Sequence, residues 1–175
     1  MTHGEIIFSI AKALTEFKPY AVYLEMGVYT GETFNLVAPL FKEAWAVDAD
    51  ARMYDFIKNN ANLKWYLQYT DDFILNLDSR AQFDMVFIDA NHQHEQSLRD
   101  FTGIVPYVKE NGLIILHDTY PPNKEFLSPS LCGDTYKTAW YIRQHFRDDF
   151  EIVTIPYCYG VSIVRKIKKQ VLWLE

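Results

Sequence analysis

Cysteine is scarce in this chain: Cys132 and Cys158 are the only two in 175 residues, and they stand at no spacing that suits a metal site or a redox pair. A scaffold built on disulfides is excluded, a single bridge has no support, and so few thiols suit the reducing cytoplasm. Long apolar runs are missing as well. No stretch approaches membrane-spanning length, and the N-terminus lacks the basic start and apolar run of a signal peptide. The expectation is a cytoplasmic protein that enters no membrane. Positive charge is in deficit, with 17 Lys and Arg against 23 Asp and Glu and a net charge of −6. A surface that tracks phosphates needs a basic excess, so no nucleic-acid partner is expected. The one basic cluster, Arg165-Lys166-Ile167-Lys168-Lys169, reads as a solvated tail. No linker, repeat or low-complexity segment interrupts the chain.

What remains is a globular composition, 49% hydrophobic and 16% aromatic, of a length that suits one domain over residues 1–175. Ile6, Ile10, Leu14 and Phe17 repeat at helical spacing over 5–17, before Pro19. Apolar runs at 20–26, 44–48, 63–67 and 83–89 read as strands. Helical faces lie between them (Phe34, Val37, Ala38, Phe41; then Met53, Phe56, Ile57 behind an Asp50 cap). A helix over 94–108 and an Asn111-Gly112 turn lead into Leu113–Leu116, a fifth strand. Residues 119–133 read as a loop, 134–147 as a helix, and 150–155 and 160–166 as closing strands. This alternation predicts an α/β, Rossmann-like, doubly wound and mostly parallel sheet with helices on both faces. The domain then divides into an N-terminal helix (5–17), a cofactor-binding core (20–118), an acceptor-side loop (119–133) and a closing helix with a strand pair (134–175).

In such a sheet, ligands gather beyond the carboxyl ends of the strands. Glu25, Asp48, Asp89 and Asp118 end four strands or follow them directly, and Asp71 occupies the equivalent loop, so five acids converge on one rim. The first strand runs into Glu25-Met26-Gly27-Val28-Tyr29-Thr30-Gly31. A pyrophosphate needs glycines at G-x-G-x-x-G to sit on a helix N-terminus. Here the central glycine is missing and an acid faces the loop, which would repel a phosphate and suit a cationic amine. S-adenosyl-L-methionine (AdoMet) has an amine and no phosphate, and suits this loop better than NAD does. Asp48 is placed to accept from ribose hydroxyls. Asp71 or Asp72 is placed near an adenine amino group, the other being a cap for a short helix over 73–77.

These motifs, with Val47-Asp48, Thr70-Asp71-Asp72 and residues 83–89, resemble in order those of class I AdoMet-dependent methyltransferases. Phe87-Ile88-Asp89-Ala90-Asn91-His92 with Leu98-Arg99-Asp100, and Gly112–Leu116 with His117-Asp118-Thr119, resemble one branch more narrowly. That branch comprises small methyltransferase domains related to macrolide-sugar O-methyltransferases and cephalosporin hydroxylase. The resemblance covers about residues 20–118. It implies a seven-stranded sheet in the order 3-2-1-4-5-7-6 with the last strand antiparallel. It also implies a cofactor set of Glu25, Gly27, Tyr29, Gly31, Asp48, Asp71, Asp72 and Asp89. Related enzymes hold a divalent cation with acids ending strands four and five, which implies Asp89 and Asp118, with His117 as a third ligand, for Mg²⁺ or Mn²⁺. The branch usually carries Gly-Asp where this chain has Ala90-Asn91, so a metal-free hydrogen-bonded cluster stays open beside the metal site.

Methyl transfer from a sulfonium is an in-line displacement, so a protein must mainly align the acceptor and help its proton leave. His92 is the first candidate for that base or orienting group, with Asp89 and His117 beside it. The plainer reading is that His92 caps the helix starting near Gln93. His94 and His145 are expected to be exposed and His3 to lie in a frayed terminus. Tyr120, Phe126 and Leu127 are expected to line the acceptor pocket, and Gly133-Asp134 to act as hinge and helix cap. The function expected is O-methylation of a small hydroxylated acceptor such as a sugar or nucleotide-sugar. A non-catalytic AdoMet- or partner-binding domain of the same fold is the alternative. The aromatic content of so small a domain suits a homodimer that covers an apolar patch.

Overall fold

Strand residues alternate between two apolar faces, and each face has its own helices. The computed structural model describes residues 1–58 and 62–167. In β1 (Val22–Met26), Tyr23 and Glu25 point to one face, Leu24 and Met26 to the other, as the strand pleat requires. The first face joins Tyr23 to Ala44 and Ala46 of β2 (Glu43–Asp48), Met85 and Phe87 of β4 (Phe83–Ile88) and Ile115 of β5 (Val108–Leu116). Over it pack Ile6, Ile7 and Ala11 of α1 (His3–Phe17), and Phe34 and Val37 of α2 (Glu32–Val37). On the second face, Leu24, Met26, Val47, Val86, Ile88, Ile114 and Leu116 meet three helices. These are α3 (Thr70–Leu75) through Phe73, α4 (His94–Ile104) through Phe101 and Ile104, and α5 (Tyr136–His145) through Ile142.

With β3 (Leu63–Leu67), β6 (Phe150–Ile155) and β7 (Val161–Lys166), the sheet has seven strands in the order β3-β2-β1-β4-β5-β7-β6. The first five strands in space pair in parallel, and β7 runs antiparallel to both of its neighbours. This is the order the resemblance implied. The carboxyl ends of β1, β2, β3, β4 and β5 therefore share one rim. Among the described residues, no helix is long and apolar enough to cross a membrane.

Local differences from the sequence reading have simple causes. The segment behind Asp50 is a 3-10 helix, Ala51–Phe56, although Asp50 does cap it by accepting from the Arg52 amide at 3.0 Å. Helix α3 begins at Thr70, so Asp71 and Asp72 lie inside its first turn, where acids suit the helix dipole, and neither is the cap. Asn111-Gly112 is a bulge inside β5 rather than a turn before it, since the β4–β5 register jumps between Phe83 and Met85. Of the basic tail, Arg165 pairs with Glu151 at 2.8 Å and Lys166 donates to the carbonyls of Val105 and Val108, while Lys168 and Lys169 lie outside the described residues.

Candidate active site

Two cavities open on the rim, divided by the residues that follow β4. The first, about 270 Å³, is lined by Gly27, Val47, Asp48, Ala49, Gln68, Tyr69, Thr70, Asp71, Ala90, Asn91 and Gln96. The second, about 210 Å³, is lined by Asp89, His92, His117, Asp118, Phe126, Leu131, Cys132 and Tyr159. Within four consecutive residues, Ala90 and Asn91 face the first cavity and Asp89 and His92 face the second.

Gly27 makes this division workable. It sits at φ 87°, and a Cβ there would overlap the backbone of Asp89 and Ala90. Its amide donates to the Val47 carbonyl at 2.9 Å, which ties the loop to β2. Asp48 ties it further: Oδ2 accepts from the amides of Val28 (2.9 Å) and Tyr29 (3.0 Å), and Oδ1 accepts from that of Asp50 (2.9 Å). Gly31, at φ 70°, opens α2. Tyr29 itself is at φ 48° with its side chain in solvent. Asp71 reaches the first cavity and accepts from Gln96 Nε2 at 3.0 Å, whereas Asp72 does not line it. Among the described residues no lysine or arginine lines this cavity, which holds two carboxylates, the three amides of Gln68, Asn91 and Gln96, Tyr69, Thr70 and small apolar groups, a lining with no cation to meet a phosphate.

Glu25 lies elsewhere than the loop. Its carboxyl is fully buried and accepts from Tyr23 OH at 2.6 Å, because residues two apart in a strand share a face. Burial, with Asp89 and Asp48 nearby, raises its pKa well above the carboxylate range despite the Tyr23 bond.

The second cavity concentrates charge. His117 Nε2 stands 2.9 Å from the Cys158 carbonyl, which can only accept, so that nitrogen carries a proton. Its Nδ1 faces Asp89 at 3.3 Å and Asp118 at 3.6 Å. Burial opposes charge on this ring, but Asp89 and then Asp118 overcome it and raise its pKa to about 9. Burial likewise acts to raise the Asp89 carboxyl, yet His117 and His92 hold it down at about 2. His92 Nε2 lies 3.5 Å from Asp89 and 3.4 Å from Asp118, and the Asp89 bond raises its pKa against burial. Asp118, at φ 57°, is raised chiefly by its own burial. Burial and the Asp118 carboxylate push the Cys132 thiol up to about 12, making it a poor nucleophile at neutral pH.

Asp89, His92 and Asp118 each offer a ligand atom, all within 4.8 Å of one another. Two carboxylates and an imidazole are a donor set that one divalent cation can bridge, with Mn²⁺, Fe²⁺ or Zn²⁺ favoured over Mg²⁺ by the nitrogen. His117 also fits such a site, since a ligating imidazole commonly has its far N–H held by a carbonyl.

Several expectations need correction. His92 does not cap α4: Asp134 does, accepting from the His94 amide at 2.6 Å across 40 residues of sequence. Gly133 is no hinge. At φ 55° it packs directly on the His92 carbonyl, which accepts from the Asp134 amide at 2.9 Å, so the loop is pinned to the site there. Phe126 lines the second cavity as expected, but Leu127 and Tyr120 open onto other depressions, and Leu131, Cys132 and Tyr159 take their places. His94 is half-buried with Nδ1 2.9 Å from Thr138 Oγ1, while His145 is exposed. His3 is not frayed: it opens α1, with its ring centroid 4.2 Å from that of His117. The two cysteines are free. Gln96 could have been sought in the first turn of α4. Nothing in the pattern of residues 119–133 or 157–160 signals Leu131 or Tyr159.

The strand order, the glycine loop under β1 and the acids along the rim define a class I AdoMet-dependent methyltransferase. A family model described as a methyltransferase domain matches residues 24–119, more than half of the chain, and the chain belongs to that family. No curated protein matches it at the level of sequence. Among solved structures it is similar to an O-methyltransferase from Bacillus cereus in complex with SAH, at 12% identity and a TM-score of 0.71, covering 93% of this chain and 81% of that one. It is also similar to the O-methyltransferase TomG from Streptomyces achromogenes, in complex with SAM, at 15% identity and 0.68, covering 92% and 79%. The SAH-bound methyltransferase PaMTH1 from Podospora anserina gives 15% identity and 0.70, covering 92% and 78%. At these identities the likeness shows the fold.

Proposed function

We propose that this domain is a cytoplasmic O-methyltransferase that moves the methyl group of AdoMet to a small hydroxylated acceptor such as a sugar or nucleotide-sugar. The observation that supports it is the divided rim, where Ala90 and Asn91 wall a phosphate-free nucleoside cavity and Asp89 and His92 wall an acidic cavity beside it. The SAM and SAH complexes of TomG and the Bacillus cereus enzyme support the choice of cofactor.

AdoMet would supply an electrophilic methyl group on a sulfonium for in-line attack. Asp48 would hold the ribose with the lone pairs left after its amide bonds, Asp71 would meet the adenine amino group, and Gly27 and Gly31 would let the backbone approach. Asp89 would lie between the two ligands. In the acceptor cavity His92 receives the hydroxyl proton or orients the hydroxyl, while Asp89 and Asp118 stabilise the imidazolium that results. Such general-base help contributes about 10²–10⁴-fold. A divalent cation held by Asp89, Asp118 and His92 or His117 would supply the alternative help, lowering the acceptor's pKa. Phe126, Leu131 and Tyr159 exclude water and offer an apolar wall to the acceptor ring.

Isothermal titration with AdoMet is the direct test: binding in the micromolar range is expected, and no heat at millimolar ligand ends the proposal. Transfer of labelled methyl to a panel of hydroxylated sugars and nucleotide-sugars, with and without Mn²⁺, then tests the acceptor. AdoMet binding with no transfer to any acceptor would leave a cofactor-binding domain.

A further inference from the structure

Histidine 117 is braced from behind by the start of the chain, 114 residues away in sequence. The His3 ring lies 4.2 Å from the His117 ring between centroids, at 41°, and 6.4 Å from Phe87. A second connection runs parallel to it. Cys158 Sγ donates to the Met1 carbonyl at 3.0 Å, and the Cys158 carbonyl in turn accepts from His117 Nε2 at 2.9 Å. The start of α1 is itself fixed. Thr2 and Glu5 form a reciprocal capping box, and Gly4 lets the first turn approach Thr33 of α2 closely. On the other side, Cys158 and Tyr159 both adopt positive φ (53° and 65°), a costly pair for non-glycine residues that the surrounding contacts must maintain. The imidazole of His117 is thus gripped between residues 1–3 and the turn at 157–160, with only its Nδ1 edge toward Asp89 and Asp118.

We propose that His3 is a positioning residue of the active site, and that the first turn of α1 is built to hold the His117 ring against Asp89. The proposal rests on the methyltransferase reading for its catalytic consequence, but its structural core does not. Displacements of about 1 Å at a reacting centre cost about a hundredfold in rate, and one unsupported side of a ring permits a shift of that order. A flat ring at position 3 supplies the brace, and hydrogen bonding by His3 is not required. His3→Phe should therefore keep what His3→Ala loses.

The experiment compares the intact protein with its His3→Ala and His3→Phe variants. The direct readout is the His117 Nε2 proton in long-range ¹⁵N–¹H spectra, assigned with His117→Gln. It should be protected from exchange in the wild type and in His3→Phe, and lost to exchange broadening in His3→Ala. Thermal unfolding serves as the folding control, and AdoMet affinity by titration should stay within about threefold across all three, because His3 does not line the cofactor cavity. With an acceptor in hand, kcat should fall about tenfold to a hundredfold in His3→Ala and recover in His3→Phe. An equally protected His117 proton in a folded His3→Ala variant overturns the proposal, as does a His3→Phe variant that behaves like His3→Ala. If the wild type fails to bind AdoMet, the methyltransferase reading falls while the imidazole proton still reports on the brace.

Discussion

Asp48 and His92 stand on opposite sides of the wall that follows β4, and their substitution should separate binding from chemistry. Asp48 accepts three amide bonds that shape the glycine loop and borders the first cavity, the one proposed for the cofactor. Bonds to a charged acceptor are worth about 1.5–3 kcal/mol each, so Asp48→Ala should weaken AdoMet at least tenfold. Its kcat at saturating cofactor should change little. For His92→Ala the expected pattern is reversed: unchanged AdoMet affinity and transfer reduced about 10²–10⁴-fold. Titration calorimetry and steady-state kinetics on the two variants check this, and equal loss of cofactor binding in both would remove the division of labour. At this scale much of the site was legible. Asp89, His92, His117 and Asp118 end adjacent parallel strands, and topology alone brings them together. The bond from Tyr23 to Glu25 was not foreseen, because the place of Glu25 at the end of β1 was weighed and its parity with Tyr23 was not. Residues 23 and 25 share a face, so a phenol and a carboxyl two apart will meet when that face is buried.

Among elements, the β1–α2 loop was readable and the segment after β5 was not, for a physical reason. A loop pressed against a neighbouring strand end needs glycine at fixed points, and Gly27 and Gly31 announce it. Residues 119–133 carry no period, and their shape depends on distant groups: Gly133 against His92, Asp134 on the start of α4, Phe126 near Tyr159. Gly27→Ala tests how far the first loop governs both cavities. A Cβ there meets the backbone of Asp89 and Ala90, and the left-handed conformation alone costs about 1–2 kcal/mol. The variant should unfold about 5 °C or more below the wild type and lose AdoMet binding together with transfer, because the displaced segment walls both cavities. Differential scanning calorimetry and titration would show it. Wild-type stability and affinity in this variant would mean that the close approach of β1 and β4 loops carries no weight.

For the molecule as a whole, the alternation of strands and helices made the architecture legible, while the exchange of β6 and β7 came only through the family's resemblance. What holds the rim opposite the two cavities was not foreseen. Asp84, the second residue of β4, has almost no exposure there and gathers three segments: the Val22 amide of β1 at 3.0 Å, Lys109 of β5 at 2.7 Å and Lys18 beyond α1 at 3.3 Å. Burial alone would raise this carboxyl, but the Lys109 bond, the Val22 amide and Lys18 together bring its pKa below the usual value. In the unfolded chain an aspartate titrates at about 3.9. As pH falls through that value the unfolded state takes up a proton before the folded state does, so folding loses free energy progressively as the folded pKa is passed. The contribution is complete at neutral pH and vanishes in acid. Asp84→Asn should therefore cost about 1–3 kcal/mol at pH 7, moderated because both lysines retain access to water. The gap between wild type and variant in urea unfolding should close as pH drops from 5 toward 2. Other carboxylates titrate in both proteins and cancel in that difference. A gap that stays constant through the acid range would show that Asp84 acts through its shape and amide bond, with its charge contributing nothing to the fold.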